Sequence, residues 1–244
     1  MFFQFSIFSR PVGIQFSIFN LKPLAAIVLL AVCAAAEEGA EIVYKNDLEK
    51  EEVGKEAADI GMVMVGEGDL RVKLDGQNKV LELAPYPLDT CGFLFGPAGT
   101  EDMCVRIRIS AASAGRRFPV FAVGLGGVGG YMLRLTPIRK ALELLKSDEV
   151  KESATYTWTS GAWTMLALSV RKLKDGAWSI RGKAWEYGKE EPKEWLVACE
   201  DTEKPPAGRA GAWGTAYSGE PVRFAGLVVQ KEPAASAPAG GQAK

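Results

Sequence analysis

Six side chains in this sequence have the chemistry to recognise a ligand, and four of them are arginines on predicted strands. Arg106 and Arg108 alternate with apolar residues, so both guanidinium groups project from one face of their strand. A guanidinium group offers a planar fork of donors that suits the carboxylate of a uronate or a sulfate group. Pairing with the abundant surface glutamates is the alternative use of such arginines. The predicted ligand-binding residues are Arg106, Arg108, Tyr131, Arg134, Trp158 and Arg181.

Aromatic rings are the second source of candidate chemistry. A flat ring with a polar group can stack against a sugar ring, although large aromatic side chains also dominate protein cores. Trp163 opens an alternating strand and Trp195 follows a Glu-Pro-Lys stretch, so both are predicted to lie in the core. Trp158 lies in a polar segment between two threonines, which leaves a core position and a ligand-binding position equally open.

The titratable residues argue against several classes of enzyme. The sequence contains no histidine, which excludes Ser–His and Cys–His nucleophile systems and zinc sites built on histidine. The Glu-rich stretches Glu49 to Glu52 and Glu186 to Glu194 are predicted to be solvated surface rather than an acid/base pair. Asp47, Glu49 and Asp201 offer the hard oxygen ligands that calcium takes, but no loop has the spacing of an EF-hand. No metal and no cofactor is therefore predicted.

A glycine-rich run invites comparison with phosphate-binding loops. Residues Gly124 to Gly130 read Gly-Leu-Gly-Gly-Val-Gly-Gly, but the Lys-Ser/Thr pair of a P-loop is missing and no convincing helical pattern follows. Glycine also supplies the backbone angles that a tight connection needs. The run is predicted to be a turn between two strands.

The first 36 residues are predicted to be an export signal. Lys22 precedes the apolar run Leu24–Val32, and the small residues up to Ala36 form the cleavage site. A membrane-spanning helix needs about 20 apolar residues, so no transmembrane anchor is predicted. Cleavage predicts a secreted, periplasmic or cell-envelope protein. It also removes two of the 29 Lys and Arg residues and none of the 30 Asp and Glu residues, so the net charge falls from −1 to −3 and nucleic acid is not an expected partner.

The cysteines leave two possibilities open. Removal of the leader with Cys33 leaves Cys91, Cys104 and Cys199. An exported protein can form disulfides, and Cys91 and Cys104 lie on predicted consecutive strands, so they are the candidate pair. The alternative is that the cysteines are small, buried, apolar side chains.

Short segments with a period of two recur between turn-forming clusters, which is the pattern of half-buried β-strands. The Asp175-Gly176 pair joins two of these segments as a hairpin. The predicted strands are Asp69–Leu74, Val80–Leu83, Gly92–Phe95, Met103–Ser110, Val120–Gly124, Tyr131–Thr136, Trp163–Val170, Ala177–Trp185 and Val222–Val229.

Two stretches, Asp47–Ala58 and Ile138–Val150, also have the composition of a helix, and the second contains a run of good helix formers. Leu142 and Leu144 fit one face of a strand equally well, and an isolated helix would interrupt the sheets, so a strand is predicted there. Short strands without βαβ alternation predict an all-β fold, a two-sheet antiparallel β-sandwich of the jelly-roll type. The domain is predicted to span residues 41–231, and the Pro-, Ala- and Gly-rich residues 232–244 to be a disordered tail.

Several segments resemble the concanavalin A-like laminin-G/glucanase superfamily, particularly its uncharacterised secreted bacterial members. The segments that carry the resemblance are Asn46–Glu49, Val53–Lys55, Gly76–Leu83, Pro87–Thr90, Trp163 and Arg223–Val229. The resemblance implies a concanavalin A-like sandwich typical of carbohydrate-binding modules, polysaccharide hydrolases and lyases, because this fold hosts many activities. Calcium often accompanies the superfamily, but the residues do not commit this chain to it.

The catalytic motifs of the superfamily's enzymes do not occur here. Laminarinase-type glucanases place carboxylates on one strand as Glu-x-Asp-x-x-Glu, and retaining hydrolysis needs two carboxyl groups about 5 Å apart. The Phe-Asp-Gly opening of the 3-keto-disaccharide hydrolases is also missing. The sequence therefore favours an exported, non-catalytic module that binds a glycan, an acidic one included, or a cell-envelope polymer. The alternative is a polysaccharide-active enzyme, either a lyase using Tyr and Arg or a glycoside hydrolase with dispersed carboxylates.

Overall fold

The computed structural model describes residues 40–63, 69–85, 90–99 and 102–232, without the side chains of residues 62 and 63. All of these residues belong to one compact unit, Ala34–Lys244. The predicted leader and residues 233–244 of the predicted tail lie outside the described residues. No helix in the described ranges is long and apolar enough to cross a membrane.

The regular secondary structure of the described residues consists of β-strands, apart from one turn of 3-10 helix at Pro137–Arg139. In chain order the strands are β1 (Ile42–Asn46), β2 (Gly61–Val63), β3 (Leu70–Asp75), β4 (Asn78–Leu83), β5 (Cys91–Gly99), β6 (Met103–Ser110), β7 (Val120–Leu125), β8 (Tyr131–Thr136), β9 (Ala141–Lys146), β10 (Glu149–Thr155), β11 (Trp163–Lys172), β12 (Trp178–Glu186), β13 (Val197–Asp201), β14 (Gly208–Thr215) and β15 (Val222–Lys231).

The strands form two antiparallel sheets. The eight-stranded sheet has the order β13-β12-β11-β6-β15-β4-β3, and β1 also pairs with β15. The seven-stranded sheet has the order β10-β9-β8-β7-β14-β5-β2. The two sheets pack face to face, which confirms the predicted all-β sandwich.

The core lies between the sheets, where alternate side chains of each strand meet. Ile107 of β6 and Leu166 of β11 are fully buried from one side, and Phe93 of β5 from the other. Phe93 meets Phe224 of β15 edge to face, with ring centroids 5.1 Å apart, so these rings join the two sheets. The period of two in the sequence therefore marks the core face correctly.

The two stretches with helical composition are not helical. The second forms β9 and β10, as predicted, after the 3-10 turn. The first, Asp47–Ala58, forms turns because Leu48 anchors it: its side chain is fully buried in the core and its backbone has a φ of 66°. The Leu48 N–H donates to Oδ1 of Asn46 at 2.7 Å, a local turn that competes with a helix.

Both predicted glycine turns are present. Asp175-Gly176 connects β11 to β12, with Gly176 at a φ of 91°. Between β7 and β8, Gly126 and Gly127 have φ values of 87° and 71°, in the left-handed region that favours glycine. The chain is also crowded here, because a Cβ on Gly208 would lie 2.3 Å from the backbone of Gly126 and Gly127.

The structure corrects the candidate disulfide. In the described part of the chain no disulfide forms, and Cys91 and Cys104 belong to different sheets. Cys91 lies among the core residues of β5, whereas Cys104 alternates with core-facing Val105 and so lies on the outer side of β6. The thiol of Cys104 is fully buried, and its burial raises the pKa to about 12. Cys104 is thus a small buried side chain rather than half of a bridge.

Candidate functional site

The outer face of the eight-stranded sheet carries three of the predicted arginines. Arg106 and Arg108 lie on β6 and Arg181 lies on β12, two strands away. Lys183 of β12 joins them, since it stands in the same row as Arg106 across Ala167 of β11. The structure therefore brings together a cationic surface that the sequence only partly predicted.

The connection between β12 and β13, residues 187–196, crosses this cationic surface and is called the strap here. Its Glu191 accepts a hydrogen bond from Nη1 of Arg106 at 2.6 Å, and its other carboxylate oxygen pairs with Nζ of Lys183 at 2.7 Å. The Lys183 ammonium also donates to the Pro192 carbonyl at 3.0 Å. Burial alone would raise the pKa of Glu191, but the hydrogen bonds from Arg106 and Lys183 outweigh it and hold the pKa below its usual value.

Trp195 completes the cover over the same cations. Its ring lies 4.7 Å from the guanidinium carbon of Arg181 and 4.6 Å from Nζ of Lys183. Glu232, which composition assigns to the tail, is buried on this surface and pairs with Nη2 of Arg181 at 3.4 Å. The prediction that Trp195 lies in the core is thus wrong, because its partners are cations on the outer face.

Arg108 is held by aromatic rings instead of a carboxylate. Its guanidinium carbon lies 5.4 Å from the Trp163 ring centroid and 4.8 Å from that of Tyr187. Trp163 stands opposite Ser110 on the outer side of β11, so the prediction of a core position for Trp163 is also wrong. Among the described residues, no ion pair of Arg108 with an acidic side chain is present. The cationic surface is therefore largely covered by the chain's own strap, tryptophans and carboxylates.

Tyr131 does not lie on a ligand-accessible surface. It is 1% exposed in the core cluster, and its hydroxyl donates to Asp201 of β13. Burial and this hydrogen bond raise the pKa of Tyr131, so its phenol holds its proton. A lyase that uses tyrosine as its base needs the opposite shift. The Lys146 ammonium donates to the same Asp201 oxygen at 2.7 Å, so the cluster ties β8 and β9 of one sheet to β13 of the other.

Trp158 lies on the segment between β10 and β11 and packs against the core. Its ring meets Phe121 of β7 at a centroid distance of 6.1 Å, and its Nε1 is buried without a hydrogen-bond partner among the described residues. Of the two positions that the sequence left open for Trp158, the structure favours the core.

Arg134 lies apart from the other predicted arginines, on the outer face of the seven-stranded sheet. It stands in a row of residues that are neighbours across four strand pairings. From β9 to β5 the row reads Glu143, Arg134, Ala122, Trp213 and Gly92. Trp213, which no sequence argument singled out, is thus two strands from Arg134 on the same face.

The indole of Trp213 lies flat on the sheet because glycines make room for it. A Cβ added to Gly92 would come within 2.3 Å of Cδ1 of the indole, and one on Gly211 within 2.5 Å of Cη2. A Cβ on Gly124 would lie 2.7 Å from Cζ3. Trp213 is 3% exposed, so its ring is fixed as part of the sheet surface. This arrangement needs glycine at three positions on three adjacent strands.

A cavity of about 260 Å³ lies beside this ring and is called the Trp213 cavity here. It extends along β7 from the Thr90–Thr215 pair, whose hydroxyl oxygens are 2.8 Å apart, to Asp148 in the turn after β9. Its chemistry is mixed, with an indole, a guanidinium, hydroxyls, a carboxylate and apolar groups. The side chains most relevant to binding are Thr90, Val128, Met132, Arg134, Asp148 and Trp213.

The charge at the Trp213 cavity is set by a shared carboxylate. Glu143 is 5% exposed and accepts from Nε of Arg134 at 3.0 Å, from Oγ1 of Thr136 at 2.9 Å and from Nη2 of Arg139 at 3.1 Å. Two guanidinium groups on one carboxylate leave one positive charge. Arg134 lines the cavity, whereas Arg139 does not and has a 57% exposed side chain. Glu143 therefore orients Arg134 without cancelling the positive charge of the cluster.

Metal binding has no support from geometry in the residues that can be described. No group of three or more Cys, Asp or Glu side chains among them is arranged to hold an ion. Asp201, one of the residues with suitable oxygen ligands, is instead bonded to Lys146 and Tyr131. The groups that line the Trp213 cavity can instead bind a ligand through hydrogen bonds and through contact with the indole ring.

Solved structures that match this fold include carbohydrate recognition domains and a protein with a galectin-like fold. The metal-free carbohydrate recognition domain of Emp46p matches with a TM-score of 0.53 at 12% identity, over 79% of this chain and 97% of that one. That of Emp47p matches with a TM-score of 0.52 at 9% identity, over 80% and 97%. A protein of unknown function with a galectin-like fold from Bacillus subtilis matches with a TM-score of 0.52 at 13% identity, over 79% and 98%.

At such identities the likeness shows the fold alone, a two-sheet antiparallel β-sandwich of the jelly-roll type. No family model matches this sequence, and no curated protein matches it.

Proposed function

We propose that the protein is a carbohydrate-binding module and that the Trp213 cavity is its binding site. The observation that carries this proposal is the position of one flat indole and one oriented guanidinium on the floor of a single cavity. Binding sites for small ligands combine an apolar surface with a few fixed polar groups in this way. The Emp46p and Emp47p domains of the same fold are named carbohydrate recognition domains, which supports the same class of ligand.

The groups around the cavity suit a sugar ring with polar substituents. The Thr90 and Thr215 hydroxyls can donate or accept, Asp148 accepts, and Arg134 donates. The indole of Trp213 contributes an apolar edge beside the sheet. Because Glu143 already uses the Arg134 Nε, the remaining guanidinium nitrogens serve the ligand, which favours a hydroxyl-rich or acidic glycan.

The test compares two arginines that share the same carboxylate. A glycan array, run with calcium and with a chelator, identifies a ligand, and calorimetry then gives its affinity for each variant. Arg134→Ala removes the guanidinium in the cavity and is expected to weaken binding by roughly tenfold or more, the effect of losing a charge-assisted hydrogen bond. Arg139→Ala removes the other partner of Glu143 and is expected to leave the affinity within about twofold.

Two results would contradict the proposal. Equal losses in both variants would mean that the arginines act only through Glu143 and stability. If no glycan on the array binds, the proposal that the ligand is a carbohydrate is wrong. Assays for new reducing ends and for unsaturated products, run on any glycan that binds, test the proposal that the module is not catalytic. Turnover of the glycan would show that the protein is an enzyme.

We further propose that the module acts outside the cytoplasm, in the secreted, periplasmic or cell-envelope compartment. The support is the charged flank, short apolar run and small-residue site of the first 36 residues. Expression of the full chain in a bacterial host, followed by fractionation and N-terminal sequencing, should yield a mature protein that begins at Glu37. An uncleaved chain confined to the cytoplasm would contradict this assignment.

A further inference from the structure

A second cavity, also of about 260 Å³, lies at one end of the sandwich and is called the Tyr156 pocket here. It is formed by the segment between β10 and β11 together with the adjoining ends of β11 and β12. Among the residues that the structure describes, none lines both this pocket and the Trp213 cavity. The side chains that define its chemistry are Tyr156, Thr157, Thr159, Thr164, Glu186 and Lys189.

Hydroxyl groups dominate the Tyr156 pocket. Three threonines and a tyrosine supply four groups that can both donate and accept hydrogen bonds. Thr164 is 2% exposed and sits at the start of β11, so its position is fixed by the sheet. Burial, with the nearby charge of Glu186, raises the pKa of Tyr156 to about 12, so its phenol stays a neutral donor.

The charged groups of the pocket cancel one another. Lys189 donates to Oε2 of Glu186 at 3.1 Å, and the Thr159 hydroxyl donates to the same oxygen at 3.5 Å. An anion would meet the Glu186 carboxylate and a cation would meet the Lys189 ammonium. A ligand rich in hydroxyls meets neither penalty and can exchange hydrogen bonds with every group present.

We propose that the Tyr156 pocket is a second binding site, selective for a neutral, polyhydroxylated ligand of the size of one sugar unit. Its volume is slightly below the roughly 300–1,000 Å³ of ordinary ligand pockets, which suits a single ring better than an extended chain. A module with two separated sites can hold two sugar units of one polymer and gain avidity. The ligand class is the one proposed for the Trp213 cavity, but the second site does not depend on the first.

The experiment titrates the mature, isotope-labelled chain with D-glucose, D-galactose, D-mannose and D-xylose in turn and follows amide and methyl NMR signals. For at least one sugar we expect shifts at Thr157, Thr159 and Thr164 that saturate with their own dissociation constant. Glucuronate serves as the charged comparison and should bind the pocket at least tenfold more weakly than the best neutral sugar. Signals that change only around Trp213, or nowhere, would overturn the proposal.

Variants separate the two sites. Glu186→Gln replaces the charged carboxylate with a neutral amide that keeps only one acceptor oxygen, and Thr157→Val removes an exposed hydroxyl; each should weaken binding at the pocket at least fivefold. Thr157→Val keeps the experiment decisive if Glu186→Gln disturbs folding, because residue 157 is at the surface. Arg134→Ala should leave the pocket signals unchanged, so failure at the Trp213 cavity is distinguishable from failure here. Wild-type affinity in both pocket variants would also overturn the proposal.

Discussion

The outer faces of the two sheets both carry cationic side chains, but one face is covered by other parts of the chain and the other has a cavity. On the eight-stranded sheet, Arg106 and Lys183 both point outward, and Glu191 of the strap forms an ion pair with each of them. On the seven-stranded sheet, Arg134 and Arg139 share Glu143 and no strap crosses the Arg134–Trp213 row in the described part of the chain. The first face is therefore covered by the chain itself, whereas the second retains a cavity beside Trp213.

The difference teaches that a row of cationic residues is not by itself a binding surface. Arg106 and Arg181 already pair with carboxylates of the chain and Arg108 is held between two aromatic rings, so a ligand would have to displace these partners. The richer cluster, on the eight-stranded sheet, is thus the one with less to offer a ligand. The single arginine on the other sheet is the better candidate because its neighbours leave space beside it.

The largest effect is expected from removing the charge of the strap. Glu191→Gln leaves Arg106 and Lys183 mostly buried without their carboxylate, so we expect the free energy of unfolding to fall by about 2–4 kcal/mol. Urea denaturation followed by tryptophan fluorescence measures it. Glu194→Gln is the control in the same strap, since Glu194 is exposed and makes no ion pair among the described residues. Equal urea midpoints for the two variants would mean that the ion pairs of Glu191 do not stabilise the fold.

The next largest effect is expected from crowding the indole of Trp213 on the outer face of the seven-stranded sheet. Gly211→Ala places a Cβ 2.5 Å from Cη2 of Trp213 and 2.9 Å from Leu94, and such crowding should cost about 1–3 kcal/mol. The ring must move, so glycan affinity and tryptophan fluorescence should change as well. Gly129→Ala, in the turn after β7, meets no atom within 4 Å and serves as the control. Unaltered fluorescence in Gly211→Ala would show that the ring is not confined.

A smaller effect depends on pH and on the contact that joins the sheets. Burial would raise the pKa of Asp201, but hydrogen bonds from Lys146 and Tyr131 outweigh it and lower the pKa to about 2. A carboxylate with a depressed pKa stabilises the folded state above its unfolded pKa and loses that contribution as the pH falls toward its folded value. Between about pH 4 and pH 2 the protein should therefore lose about 1 kcal/mol through this group.

Thermal unfolding across this pH range tests the prediction. Asp201→Asn should flatten the loss, while Glu200→Gln, at an exposed position of the same strand, should retain the wild-type slope. The same slope in both variants would assign the acid sensitivity to other carboxylates.

The smallest effect is expected at the exposed ring over Arg108. Tyr187→Leu removes one of the two rings that hold the guanidinium and should cost about 0.5–1 kcal/mol. Tyr217→Leu is a matched control, because both tyrosines are 52% exposed and Tyr217 makes no ring contact among the described residues. If Tyr217→Leu lowers the free energy of unfolding as much as Tyr187→Leu does, the loss comes from reduced burial of side-chain surface and not from the contact with Arg108.

The sequence by itself determined the class of fold and the inward face of most strands. Side chains alternate across a strand, so the spacing of Val105, Ile107 and Ile109 marks a core face without knowledge of any partner. The same reasoning identified β9 as a strand and the glycine run as a turn. It missed β14, where glycine, alanine and a single tryptophan hide the alternation, although a tryptophan among glycines was itself a signal of close packing.

Only the tertiary structure decided which strands share a sheet and what covers each outer face. The residues that flank Arg134 in the sequence do not indicate that β8 and β6 belong to different sheets. The hydrogen bond between Arg106 and Glu191 joins residues 85 positions apart, and the Thr90–Thr215 pair joins residues 125 apart. The direction of a side chain is fixed by its own strand, whereas its partner is fixed by how distant segments pack, and that is why local patterns revealed the fold but not the site.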